Sequence, residues 1–129
     1  MRRLALSLPL LLVVACGKGE LSAPCEEDKD CERDLQCQGR TFSPGIEGFQ
    51  CSAYCANDAE CDGGVCYAST FCARECDATS PDCPDGTVCA GLGDGALSYC
   101  VLPCSSDEDC SGSGLPFCPT PGGACSDVK

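Results

Sequence analysis

The chain has no histidine, no tryptophan and a single methionine in 129 residues. Without histidine the commonest general base is gone, and no Ser-His or Cys-His nucleophile pair can be assembled. No C-x-C or C-x-x-C occurs, which excludes thioredoxin-like redox pairs and c-type haem attachment, and zinc fingers with histidine fall with the missing His. Phosphate loops of the G-x-x-x-x-G-K or G-x-G-x-x-G kind are absent. Large apolar residues are scarce as well. From Cys16 onward, 114 residues hold six Leu, one Ile, four Val and four Phe, about 13%. Ordering a backbone costs roughly 1 to 2 kcal/mol per residue, which so small a core cannot offset, so the chain is either disordered or cross-linked. Basic residues are few. Past Arg2 and Arg3 only six face 20 acidic ones, a net charge of −14. Counterion release from phosphate and attraction to anionic headgroups both need cations, so nucleic acid is excluded as a partner and electrostatic membrane binding is disfavoured.

What is present begins with an address. Met1 to Arg3 are followed by apolar Leu4 to Val14, then Ala15 beside Cys16, the layout of a secretory signal. Residues 4–15 would rise about 18 Å as a helix against a hydrocarbon core of about 30 Å, so the segment is a signal and not a span. Leu12-Val13-Val14-Ala15-Cys16 resembles the lipobox of bacterial lipoproteins. That resemblance implies a signal peptide over 1–15, diacylglycerol on the Cys16 sulfur and acylation of the new amino group. A plain secretory cut after Ala15 is the alternative. Parity favours the lipid, because seventeen cysteines are an odd set and removing Cys16 leaves sixteen. Gly17 is not the Asp that, by the same resemblance, marks inner-membrane retention. The expectation is therefore export from the cytoplasm and a lipid-anchored place at the outer membrane or cell surface. Residues 16–24 are expected to be the lipidated cysteine and a short tether reaching at most about 28 Å.

An oxidising compartment makes disulfides the natural state of the remaining cysteines: Cys25, Cys31, Cys37, Cys51, Cys55, Cys61, Cys66, Cys72, Cys76, Cys83, Cys89, Cys100, Cys104, Cys110, Cys118 and Cys125. Three gaps of three residues, after Cys51, Cys72 and Cys100, divide them into four units, 25–51, 55–72, 76–100 and 104–125. The third gap of each unit runs 13, 5, 10 and 6 residues, so units also match as two pairs, 25–72 and 76–125. The predicted fold class is small and disulfide-rich: tandem four-cysteine repeats, as four units or two eight-cysteine pairs, mostly turns and short β-hairpins with little or no helix in the mature chain. Hairpins are expected around Val65-Cys66-Tyr67 and Thr87-Val88-Cys89, with Gly63-Gly64 and Asp85-Gly86 as upstream turn residues. Val65, Val88, Phe117, Phe49, Phe71, Tyr99 and Ala124 stand beside cysteines and are expected to cover the disulfides. Within a unit three pairings are open, of which first with third and second with fourth is favoured because it interlocks two loops.

The C-x5-C-x4,5-C spacing with an acid before the second cysteine, followed by a fourth cysteine and C-x3-C, resembles the Cys-rich repeats of surface lipoproteins from myxobacteria and related bacteria. It is also similar to the N-terminal cysteine-rich region of Dickkopf proteins and to nematode EB modules. In bacteria the resemblance implies an extracellular module of unassigned activity.

Before the second cysteine stand Asp28 and Asp30, Asp58 and Glu60, and Asp107 and Asp109. Calcium takes six to eight oxygen ligands, and these six carboxylates are the candidate calcium ligands. The simpler reading is an Asx-type turn in which each acid accepts backbone N–H groups leading into that cysteine. No catalytic residue is assigned, because a solvated acidic surface has no cleft in which two carboxyl pKa values could be separated. Arg40, Phe42 and Ile46, in the loop 38–50, are candidate contact residues on a scaffold that displays loops at small entropic cost; packing is the other role open to them. The functional expectation is a non-enzymatic, lipid-anchored structural or interaction module whose partners are the membrane, through its lipid, and an unknown protein or surface glycan. No cofactor is expected beyond the covalent lipid. A calcium-dependent adhesion or ion-binding protein, and a protease inhibitor or small-protein ligand, are the alternatives.

Overall fold

A computed structural model describes residues 18–40, 45–79, 81–91, 97–112 and 115–128. Residues 1–15, where a signal peptide is expected, Cys16 and Phe42 lie outside the described residues, as does the side chain of Arg40. Eight disulfides join the sixteen cysteines, and every unit uses one pairing. First bonds to third in Cys25–Cys37, Cys55–Cys66, Cys76–Cys89 and Cys104–Cys118. Second bonds to fourth in Cys31–Cys51, Cys61–Cys72, Cys83–Cys100 and Cys110–Cys125. The small disulfide-rich fold class is what the structure has.

The third gap of each unit is a hairpin connection. Strand β1 (Gln36–Arg40) pairs antiparallel with β2 (Gly48–Ser52), β3 (Val65–Tyr67) with β4 (Phe71–Ala73), and β6 (Val88–Gly91) with β7 (Ser98–Val101), while β5 (Glu75–Cys76) adds a third strand against β7. Their registers set Cys37 opposite Cys51, Cys66 opposite Cys72 and Cys89 opposite Cys100. The two facing cysteines are not bonded to each other; each reaches back to an earlier one. In the fourth unit a single bridge, Phe117 to Ser126, stands beside Cys118 and Cys125. A hairpin loop tolerates length changes, since each doubling costs only about 0.6 kcal/mol, and this is why the third gap varies most. The expected turn residues, Gly63-Gly64 and Asp85-Gly86, lie upstream of β3 and β6. The β3–β4 turn itself uses Ala68 and Ser69, both at positive φ.

The helical content among the described residues is 3₁₀: Asp28–Asp30, Asp58–Glu60 and Asp107–Gly112, each reaching or ending at a second cysteine. No helix among the described residues is long and apolar enough to cross a membrane.

Residues 18–24 differ from the expected tether. Gly19 N donates to Asp30 O at 2.6 Å and Gly19 O accepts from Glu32 N at 2.8 Å; Ser22 N donates to Cys51 O and Ala23 O accepts from Cys51 N, both at 2.8 Å. Leu21, Ser22 and Ala23 are buried. The reason is fit: a Cβ on Gly19 would stand 3.1 Å from Cys51 Sγ, closer than ordinary contact, so glycine lets the segment lie against the sulfur without displacing it. Leu21 meanwhile fills a cluster with Cys55, Cys61 and Cys72. The segment is a strap built into the fold.

Burial is distributed over four small clusters, three of which join residues of different units. The largest apolar one joins Ala73, Ala90, Tyr99 and Val101 to Val65, Tyr67, Phe71, Val88 and Ala124, from the second, third and fourth units and their links. Tyr67 packs edge-on against Tyr99 with ring centroids 5.5 Å apart. Burial raises the Tyr99 pKa, with the Glu75 charge adding to it, so this phenol stays neutral inside the cluster. Phe49 departs from its expected covering role, being 56% exposed on β2 with its ring over Gly39 across the hairpin. The remaining clusters are built around sulfur. Gln50 ties the first unit to the third: its Nε2 donates to Ser22 O at 2.8 Å and to Cys100 O at 3.3 Å.

Candidate functional site

The acidic pairs before the second cysteines are backbone clasps. Asp28 Oδ1 accepts the N–H of Cys37 at 2.8 Å, Asp58 Oδ1 that of Cys66 at 2.7 Å and Asp107 Oδ1 that of Cys118 at 2.8 Å. The second acid reaches the other way. Asp30 Oδ2 accepts from Glu26 and Glu27 N, Glu60 Oε2 from Ala56 N, and Asp109 Oδ2 from Ser105 and Ser106 N. Together they tie the residues after the first cysteine to the N–H of the third, the same two cysteines that the disulfide joins. This differs from the expected turn into the second cysteine, because the 3₁₀ turn places the two acids on opposite sides of it. Each of the six candidate calcium ligands thus has at least one oxygen on a backbone N–H. The N–H groups of Glu26 and Glu27 hold the Asp30 carboxyl below its ordinary value, against a small opposing effect of burial.

Among the candidate contact residues, Ile46 is half-buried against the cluster of Cys104, Cys110 and Cys125, and its N–H donates to Leu102 O at 3.2 Å. Its apolar side chain is taken up by joining the first unit to the fourth, so it packs and is not displayed. The backbone of Arg40 ends β1; Phe42 lies outside the described residues.

What sequence reasoning missed is a cleft of about 760 Å³ where the strap meets the first three units. Leu21, Leu35, Ala53, Gly63 and Cys72 supply apolar lining; Glu20, Glu32, Asp34, Glu60, Asp62, Glu75 and Asp82 supply seven carboxylates against Arg33 and Arg74. The formal charge of the lining is −5. Glu32, Asp34, Asp62 and Glu75 are exposed at the opening. Arg74 is held inside, 21% exposed, with Nη1 donating to Glu20 Oε2 at 2.6 Å and Nη2 to Asp82 Oδ2 at 2.9 Å. Burial works against its charge, but hydrogen bonds and charge from Glu20 and Asp82 outweigh that effect and raise its pKa. The third unit has no acid two residues before Asp82, so Asp82 serves this ion pair in place of a clasp. The cleft's carboxylates come from positions dispersed between residues 20 and 82, and no spacing rule gathers them. The available signal was the strap, read as a linker from its Gly, Ser and Ala.

The cysteines form a second constellation. In each unit three sulfurs lie within 4.8 Å of one another: Cys25, Cys31 and Cys51; Cys55, Cys61 and Cys66; Cys76, Cys83 and Cys89; Cys104, Cys110 and Cys125. All are in disulfides, whereas a metal takes the thiolate. No protein family, curated protein or solved structure matches the chain.

Proposed function

We propose that this is an exported, lipid-anchored binding module of the bacterial surface, without enzymatic activity, that takes a cationic segment of a partner in the acidic cleft. The observation that carries the reading is the cleft itself. Its volume falls within the roughly 300–1,000 Å³ range of ligand sites, it combines apolar lining with a −5 charge, and disulfides hold the elements around it. A Lys- or Arg-bearing peptide fits it, since its methylene stems cover apolar surface while its charge meets the rim. Export and anchoring rest on the N-terminal sequence and the even cysteine set.

Calorimetric titration tests the binding. An Arg- and Lys-rich peptide is expected to bind the oxidised protein, and a Glu-rich peptide of equal length is not. Raising salt from low to physiological strength should weaken the complex by about tenfold as exposed charges are screened. The triple variant E32Q/D34Q/D62Q should weaken it by at least a comparable factor while leaving the disulfides intact. Equal binding of both peptides, or an unchanged affinity in the triple variant, overturns the reading.

A further inference from the structure

The contact between the two disulfides of each unit carries an inference independent of the cleft. Every sulfur trio contains the first and second cysteine of its unit, which are bonded to different partners. In the first unit Cys25 Sγ lies within 4.8 Å of both sulfurs of the Cys31–Cys51 bond, while Cys37, bonded to Cys25, is not among the three. In the fourth, Cys104 stands in the same relation to Cys110–Cys125, and Cys118 is outside the trio. Disulfides exchange when a thiolate attacks a disulfide sulfur, at a rate set by the thiolate fraction and by access. A thiol fixed beside its target needs only deprotonation and a small approach.

We propose that the adjoining first and second cysteines make each unit an internal thiol–disulfide exchange site, able to change its pairing without coming apart. When Cys25 is free, its thiol gives a proton to solvent and its sulfur attacks Cys31 or Cys51. A new S–S bond forms, the Cys31–Cys51 bond breaks, and the departing sulfur leaves as a thiolate that is reprotonated. Electrons are conserved and no oxidant is needed. The arrangement has a use in folding. The chain is made from its N-terminus, so the first and second cysteines of a unit are available to each other before the third and fourth. A bond between those two is the mispairing open earliest, and the fold sets its sulfurs beside the one that must displace it.

Two single variants test this in the first unit. C37S leaves Cys25 free inside the trio, and C25S leaves Cys37 free outside it. After incubation at pH 8, acid quenching, alkylation and peptide mapping should find label spread over Cys25, Cys31 and Cys51 in C37S, with bonds Cys25–Cys31 or Cys25–Cys51. In C25S the label should stay on Cys37 with Cys31–Cys51 intact. Below the ordinary thiol pKa of about 8.5, the C37S exchange rate should rise about tenfold per pH unit. A single labelled Cys25 in C37S, or equal reshuffling in both variants, overturns the proposal. C118S and C104S repeat the contrast in the fourth unit. If none of these folds, brief treatment of the native protein with limiting dithiothreitol decides: peptide maps of the labelled material are expected to hold the non-native bonds Cys25–Cys31 or Cys25–Cys51, and maps that hold only native bonds overturn the proposal.

Discussion

Asp58 shows how much a single side chain contributes where there is little core. Its Oδ1 meets the N–H of Cys66 at 2.7 Å, and removing it leaves that donor to water at the start of β3. D58A should cost about 1 kcal/mol, the net worth of one hydrogen bond, and lower Tm by about 5 °C in calorimetry of the oxidised protein. Gln50 is a larger case because it is buried and donates to carbonyls of the strap and the third unit. Q50A orphans both, and a loss of about 1 to 3 kcal/mol is expected, again read from Tm. Acid dependence follows from Asp30 and Asp77, whose pKa values are lowered mainly by backbone N–H groups, of Glu26 and of Thr79 respectively. Folded pKa values below the unfolded Asp value of about 3.9 mean that these carboxylates add stability above that pH, and that it drains away as pH falls from about 4 through the folded values. Tm measured from pH 6 down to pH 2 should hold until about pH 4 and then fall, and D30N should reduce the drop.

At the scale of elements, the turn before β3 is a joint closed tightly against backbone. A Cβ on Gly64 would sit 2.5 Å from Leu21 Cδ2 and 2.6 Å from Ala73 O. Leucine can swing away, but the carbonyl belongs to the backbone at the end of β4. G64A should therefore destabilise by about 1 to 3 kcal/mol through overpacking, with the loss concentrated in faster amide exchange of β3 and β4. The elements also show what could be read in advance. Val65 and Val88, each before a cysteine and after a Gly-bearing turn, announced β3 and β6 because alternation and turn residues act locally. Strands β1 and β2 did not announce themselves. Gln36-Cys37-Gln38-Gly39-Arg40 has no alternating apolar pattern, and its pairing is imposed by the Cys31–Cys51 and Cys25–Cys37 bonds. The strap was illegible for a related reason: Gly19 and Ala23 are small because they pack against Cys31 and Cys51, and Ser22 because its Oγ accepts the Arg74 N–H at 3.0 Å, yet small residues in sequence look like slack. The cleft depends on that strap and on side chains up to 62 residues apart, and so lay beyond any local pattern.

Over the whole molecule, the cross-links replace an apolar interior. Each disulfide contributes about 2 to 4 kcal/mol by restricting the unfolded chain, and the sulfur-built clusters place many of those sulfurs where side chains would otherwise pack. Reduction with excess dithiol should abolish amide dispersion in one-dimensional NMR, while a chelator should leave the spectrum and Tm unchanged; a chelator-dependent Tm would favour the calcium alternative. The proposed anchor predicts that C16S moves the protein from the membrane to the soluble fraction, and that the intact mass of the native form carries a lipid-sized increment. The crossed pairing also has a mechanical consequence. Tension entering a unit at its first cysteine can pass along the residues to the second and leave through the second-to-fourth bond. Those stretches hold only 5, 5, 6 and 5 intervening residues, so a pulled unit pays out roughly 20 Å, at about 3.4 Å per residue, whatever the length of its hairpin. The hairpin loops sit off the load path, and a string of such units would come up taut while the loops it carries keep their shape.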